Sequence, residues 1–151
     1  MHNAQTGKYV AAIPPAAILD DASATTVEID TKDARYAEIV VSLGATDIAM
    51  AALKVQQSDT SGGSFTDLTG ADFSSGTDID GAALALPSAT DDNQVCVFQI
   101  NLDATKRYLR VGATAGNGTA GTFVSAVCRL SENRSSPETS TEAANGGVCR
   151  V

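Results

Sequence analysis

The chain is predicted to fold as an all-β antiparallel β-sandwich, with a jelly roll as the favoured arrangement. Three observations carry that expectation. From Ile29 to Leu130 apolar and polar residues alternate in short runs, the period-two pattern of strands that bury one face and wet the other. The runs are separated by turns rich in Gly, Ser, Asp and Asn, which punctuate strands rather than helices. No segment carries a clear helical period, so sheets must pack on sheets to make a core.

The first 24 residues are Ala-rich, with one apolar run around Tyr9–Ile13 cut by Pro14-Pro15. They read as an N-terminal arm containing one edge strand, since proline is tolerated there. The regular pattern begins where Val27 and Ile29 alternate with Glu28 and Asp30. A strand over 36–43 points Ala37, Ile39, Val41 and Leu43 inward and ends at Gly44. The Ala content of Asp47–Leu53 would suit a short helix, but alternation of Leu53 and Val55 with Lys54 and Gln56 favours a strand through about Ser58. A polar gap over 59–64 with two glycines then returns the chain through Phe65–Leu68, the pattern of a hairpin. From Thr69 to Asp92 the pattern dissolves into Gly, Ser, Asp and Ala around a small Ala82–Leu86 run. Loops of that length in compact domains carry function or cover something. Strands return over 95–102, 108–113 and 122–130, with Leu109, Val111 and Ala113 on one apolar side. Residues 132–147 are rich in Ser, Thr, Glu and Asn, the composition of a flexible tail. The tail ends in the apolar tip Val148-Cys149-Arg150-Val151. The expected organisation is therefore an arm (1–24), a β-sandwich domain (25–131) and a C-terminal tail (132–151).

At 151 residues the chain is long enough to bury a real core. With no Trp, four Phe and three Tyr, that core must be filled by Val, Leu, Ile and Ala. The net charge of −8 lacks the basic footprint that nucleic acid requires. It would also be repelled by an anionic membrane, and no apolar run approaches the length of a bilayer span. The N-terminal run is too short and too weakly charged for a signal peptide, so synthesis in the cytoplasm is expected.

Cys96, Cys128 and Cys149 have no metal-ligand spacing. The first two share apolar strand faces and read as buried thiols; a bridge between them requires strands that face each other. Gly116-Asn117-Gly118-Thr119-Ala120-Gly121 is a literal GxGxxG. It leads into strand sequence rather than a helix, so a hairpin connection with positive φ explains it better than a dinucleotide site, and no cofactor is expected. Asp78-Ile79-Asp80-Gly81 with Asp91-Asp92-Asn93 could offer oxygen ligands to Ca²⁺, but Asp and Asn equally satisfy their own turns. His2, the one histidine, sits in the arm and is poorly placed to serve a catalytic triad. With neither a catalytic constellation nor a Trp to stack sugars, no enzyme activity is expected.

Two stretches carry a resemblance. One is Leu53-Lys54-Val55-Gln56-Gln57-Ser58-Asp59 followed by Gly63-Ser64-Phe65-Thr66-Asp67-Leu68-Thr69-Gly70-Ala71. The other runs from Leu86-Pro87-Ser88-Ala89-Thr90-Asp91-Asp92-Asn93 through Phe98-Gln99-Ile100-Asn101-Leu102 to Lys106-Arg107-Tyr108-Leu109-Arg110-Val111 and the glycine loop. Together, over 27–131, they resemble small virion proteins of tailed bacteriophages. That resemblance implies a capsid decoration (cement) protein, located on the capsid exterior, that binds the major capsid protein and forms a homotrimer at local three-fold axes. It brings no catalytic motif.

The expected partner contacts are Tyr9, Val10 and Ile13 in the arm, Val148 and Val151 at the tail tip, and Asp78, Asp80, Leu84 and Leu86 in the long loop. Removal of residues 1–20 is expected to leave a folded domain that binds capsids less tightly. The rival expectations are a tail or neck component, such as a head–tail completion protein, and a carbohydrate- or calcium-dependent binding module of the virion surface.

Overall fold

The structure, a computed structural model, describes residues 6–134, 140–144 and 146–149. Eight strands are present among them: β1 (Lys8–Ile13), β2 (Ile29–Asp30), β3 (Tyr36–Thr46), β4 (Ala52–Ser58), β5 (Thr66–Asp72), β6 (Val95–Asn101), β7 (Tyr108–Thr114) and β8 (Thr122–Ser131). A single helical turn, α1 (Ser140–Ala143), follows. The strands form two four-stranded antiparallel sheets, ordered β1-β8-β3-β6 and β2-β7-β4-β5. β1 pairs with β8, β2 with β7, β3 with β6 and β4 with β5. This nesting of first with last is the winding of a jelly roll, the expected form of the sandwich.

Period-two patterning explains the strands directly. In β3, Ala37, Ile39, Val41 and Leu43 are buried, while the residues between them face outward. Across the sandwich they meet Leu53 and Val55 of β4 and Leu109 and Val111 of β7 in one core. Phe98 of β6 packs edge-to-face on Phe73, with ring centroids 5.1 Å apart, one of the arrangements that aromatic pairs prefer.

The structure corrects several sequence-based expectations. The edge strand foreseen in residues 1–24 exists, but as β1 it is part of the body rather than of a reaching arm. It pairs along β8, and Ala12 and Ile13 are core residues. Ile13 is therefore no partner contact, and loss of residues 1–20 would remove a strand rather than trim an appendage. A run of only six residues before Pro14-Pro15 does not itself reveal which neighbour it joins. The hairpin over 59–64 is present, joining β4 to β5, but β5 continues to Asp72, so the irregular loop begins later than its composition suggests.

The glycine loop is no hairpin. β7 and β8 lie in different sheets, so residues 115–121 cross the end of the sandwich. Of its glycines, Gly121 has positive φ (80°). Gly118 answers a different need, because a Cβ there would stand 2.3 Å from the Asp47 carboxylate. Finally, Cys96 and Cys128 lie in one sheet with β3 between them. Two strand spacings, about 9.5 Å, exceed the Cα separation a disulfide spans, and all three cysteines are free.

Candidate functional site

The two outer faces of the sandwich differ sharply in chemistry. On the β2-β7-β4-β5 sheet, charges are present and internally paired. Lys54 bridges Asp67 at 2.7 Å, and Arg107 makes two 2.8 Å hydrogen bonds to Asp30. Arg110 lies over the Phe65 ring, 4.4 Å from its centroid, and donates to Gln56. The Arg107 guanidinium holds the Asp30 carboxyl below its usual range, and Lys54 does the same for Asp67. This is a face at ease in water.

The opposite face carries an apolar row across its full width, between a row with Ser42 and Ser125 and one with Glu38 and Arg129. Strand register places Ala11, Val127, Val40 and Val97 in one row across β1, β8, β3 and β6. Val127 and Val97 are 47% and 41% exposed, and Val95 beside them is 61% exposed. Phe123, 46% exposed, extends the patch toward Gly44. The charged pair of this face, Glu38 and Arg129, sits side by side in the adjacent row. Alternation predicts which residues leave the core; it says nothing of why those leaving this sheet are valines.

The long loop forms a second exposed feature. Thr77 and Ala83 form a bridge that closes a turn over Asp78-Ile79-Asp80-Gly81. The Asp78 carboxylate accepts from the Asp80 and Ala82 amides at 2.9 and 2.8 Å, and Gly81 takes φ 83°. At the tip Ile79 is 98% exposed. An apolar side chain in water on a backbone held by its neighbours would need little further ordering to be covered by a partner. The sequence pattern points to the flanking Asp78 and Asp80 and not to Ile79. Strand alternation cannot flag a lone apolar residue inside a turn.

The other expected contacts fall in different places. Tyr9 stands on the apolar face, 36% exposed, and Val10 packs partly against the core. Leu84 is half-buried in the wall of a groove, and Leu86 packs on the core and so offers little to a partner. Val148 is half-buried, and Val151 and His2 lie outside the described residues. The carboxylates weighed as calcium ligands do not converge. Asp78 serves its turn, Asp91 accepts from the Ser88 amide and Asp92 from the Thr46 amide. Among the described residues no three His, Cys, Asp or Glu side chains are grouped to hold a metal ion. No described helix is long and apolar enough to cross a membrane.

Beneath the long loop the sandwich is open along one side. A groove of about 500 Å³ runs between β5 and β6, lined by Phe73, Leu84, Val97 and Phe98 together with Asp72 and Asp78. It continues into a space of about 400 Å³ beside Leu68, Gln99 and Asn101. No protein-family model, curated protein or solved structure matches this chain.

Proposed function

We propose that the protein is a non-enzymatic decoration, or cement, protein of a tailed-bacteriophage capsid. In this reading it binds the outer surface of the expanded major-capsid shell as a homotrimer at local three-fold axes. The observation that carries the reading is the uncharged row of Ala11, Val127, Val40 and Val97 across one entire sheet face. A chain of net charge −8 that leaves such a face exposed works by burying it against protein. The Ile79 turn supplies an anchor of the kind that fills a pocket on a partner. Several copies held together would add avidity from individually modest contacts. The choice of the major capsid protein as the partner draws on the resemblance over 27–131 to small phage virion proteins.

The test is binding of the purified protein to expanded, undecorated capsids of its phage, with bound copies per shell counted by cryo-EM. Saturation at three copies per local three-fold axis is the expected result. Absence of binding, with density for the protein found in the tail or neck of intact virions, would transfer the function to head–tail or tail assembly. A glycan-binding signal that disappears with chelator would instead favour the carbohydrate- or calcium-dependent module.

A further inference from the structure

We propose that the open groove between β5 and β6 receives the C-terminal segment of a second copy, residues 146–151, which adds as a strand to the free edge of β6 and links copies head to tail. The inference deepens the oligomeric part of the decoration reading and depends on it only for the number of copies.

The four sheet edges are not equivalent. β2 is two residues long and capped by the Asp30–Arg107 pair. β5 carries a register irregularity against β4, a left-handed Gly70 (φ 84°), and Asp67 and Asp72. β1 is joined by the returning chain, through a parallel bridge from Tyr9 to Ala144. These are the devices by which proteins blunt an edge. β6, Val-Cys-Val-Phe-Gln-Ile-Asn, has none of them: no charge, no proline, no glycine and an unbroken register with β3. The phase of its ladder follows from two bonds, Leu43 N–H to the Gln94 carbonyl and Leu102 N–H to the Arg35 carbonyl. In an antiparallel pair these turn the backbone groups of Cys96, Phe98 and Ile100 toward β3, and those of Val95, Val97 and Gln99 toward the groove. The backbone hydrogen bonds among the described residues give that outer set no partner.

The groove states what it would accept. Its wall is apolar, and among its described lining residues the charges are Asp72 and Asp78, with no base. The occupant is therefore extended, largely apolar and carries one base. Val148-Cys149-Arg150-Val151 has that composition, after Gly146-Gly147. Four extended residues span about 14 Å, which fits within the stretch Val97–Asn101. Placement supplies the direction. The tail leaves the body at the β1 edge, while the acceptor lies at the β6 edge, the opposite side of the same sheet. A donor on one edge and an acceptor on the other make a heterologous contact, which closes into a ring when the rotation permits; three copies make such a ring.

The experiment uses the full chain with Val97→Cys or Gln99→Cys, oxidised mildly and resolved without reductant, beside native mass measurement of a chain ending at Asn145. The expected result is a ladder of covalent dimers and higher species that vanishes when Cys149→Ser is added, and conversion of the oligomer to monomer in the shortened chain. Val97→Lys, a charge at the free edge, is expected to give monomer as well, with a parent-like circular dichroism spectrum and a cooperative melt as the folding control. The proposal is overturned if the full chain is monomeric, if the oligomer survives truncation, or if Cys149 bridges only within its own chain. An oligomer that survives truncation and still coats capsids would remove this proposal and leave the decoration reading standing. Dissociation on truncation, with neither form binding capsids, would do the reverse.

Discussion

Asp47 and Thr119, 72 residues apart in the chain, are joined by a hydrogen bond from the Thr119 amide to the Asp47 carboxylate. The Ala120 amide donates to the same oxygen. The Asp20 carboxylate accepts from Gly118 at 3.0 Å. Two acids thus hold the loop that carries the chain from one sheet to the other between β7 and β8. The GxGxxG pattern is a fitting surface for these carboxylates rather than a cradle for a phosphate.

That arrangement predicts a particular acid response. The amides of Ala120 and then Thr119 hold the Asp47 carboxyl below its ordinary value of 3.8. A carboxyl whose folded pKa is depressed contributes stability above its unfolded pKa and loses it as pH falls through the folded pKa. Asp30 and Asp67 are shifted the same way. Asp47→Asn is expected to melt at lower temperature near neutral pH. Below about pH 4, near the unfolded carboxyl's pKa, it should lose less than the parent protein. Thermal melts by circular dichroism from pH 7 down to pH 2 would show this, and parallel curves for the two proteins would refute it.

Cysteine chemistry separates by burial. Burial pushes the Cys128 thiol up to about 12 and raises that of Cys96 as well, whereas Cys149 is exposed. The thiolate is the reactive form. An alkylating reagent at pH 8 is therefore expected to label one site in the folded protein, Cys149, and three in denaturant. Rapid native labelling of Cys128 would show that β8 opens readily.

β1 should prove indispensable to the fold. Ile13→Ala removes a core side chain that is 2% exposed, and large-to-small changes of this kind cost about 2–5 kcal/mol. Truncation before Pro14 takes away the whole strand, bares the edge of β8 and should give an aggregating chain. Urea unfolding of the point variant and light scattering of the truncation are the measurements. A truncated chain that melts cooperatively at the parent temperature would return β1 to the status of an arm.

Ile79 offers a clean separation of binding from stability. Because it is 98% exposed, Ile79→Ser is expected to leave the melting temperature unchanged. If the turn anchors the protein on its shell, the same change should weaken capsid binding at least tenfold, about 1.4 kcal/mol, the scale of an interface hot spot. Equal affinities for the two proteins would remove the turn from the contact surface.

What the sequence determined by itself is the local part. Alternation marked the strands, and in β3 it named the inward set Ala37, Ile39, Val41 and Leu43 correctly, because a period of two is a property of each strand alone. It also marked the hairpin over 59–64 and the loop that displays the Asp78–Gly81 turn. The tertiary structure alone decided the order β1-β8-β3-β6 and the absorption of β1 into the body. It alone put Cys96 and Cys128 in one sheet and aligned Ala11, Val127, Val40 and Val97 into one exposed row. Those facts rest on pairing between residues more than 110 positions apart, such as Tyr9 with Arg129. Such pairing is chosen by the packing of both sheets at once, and no single strand's pattern encodes its neighbour.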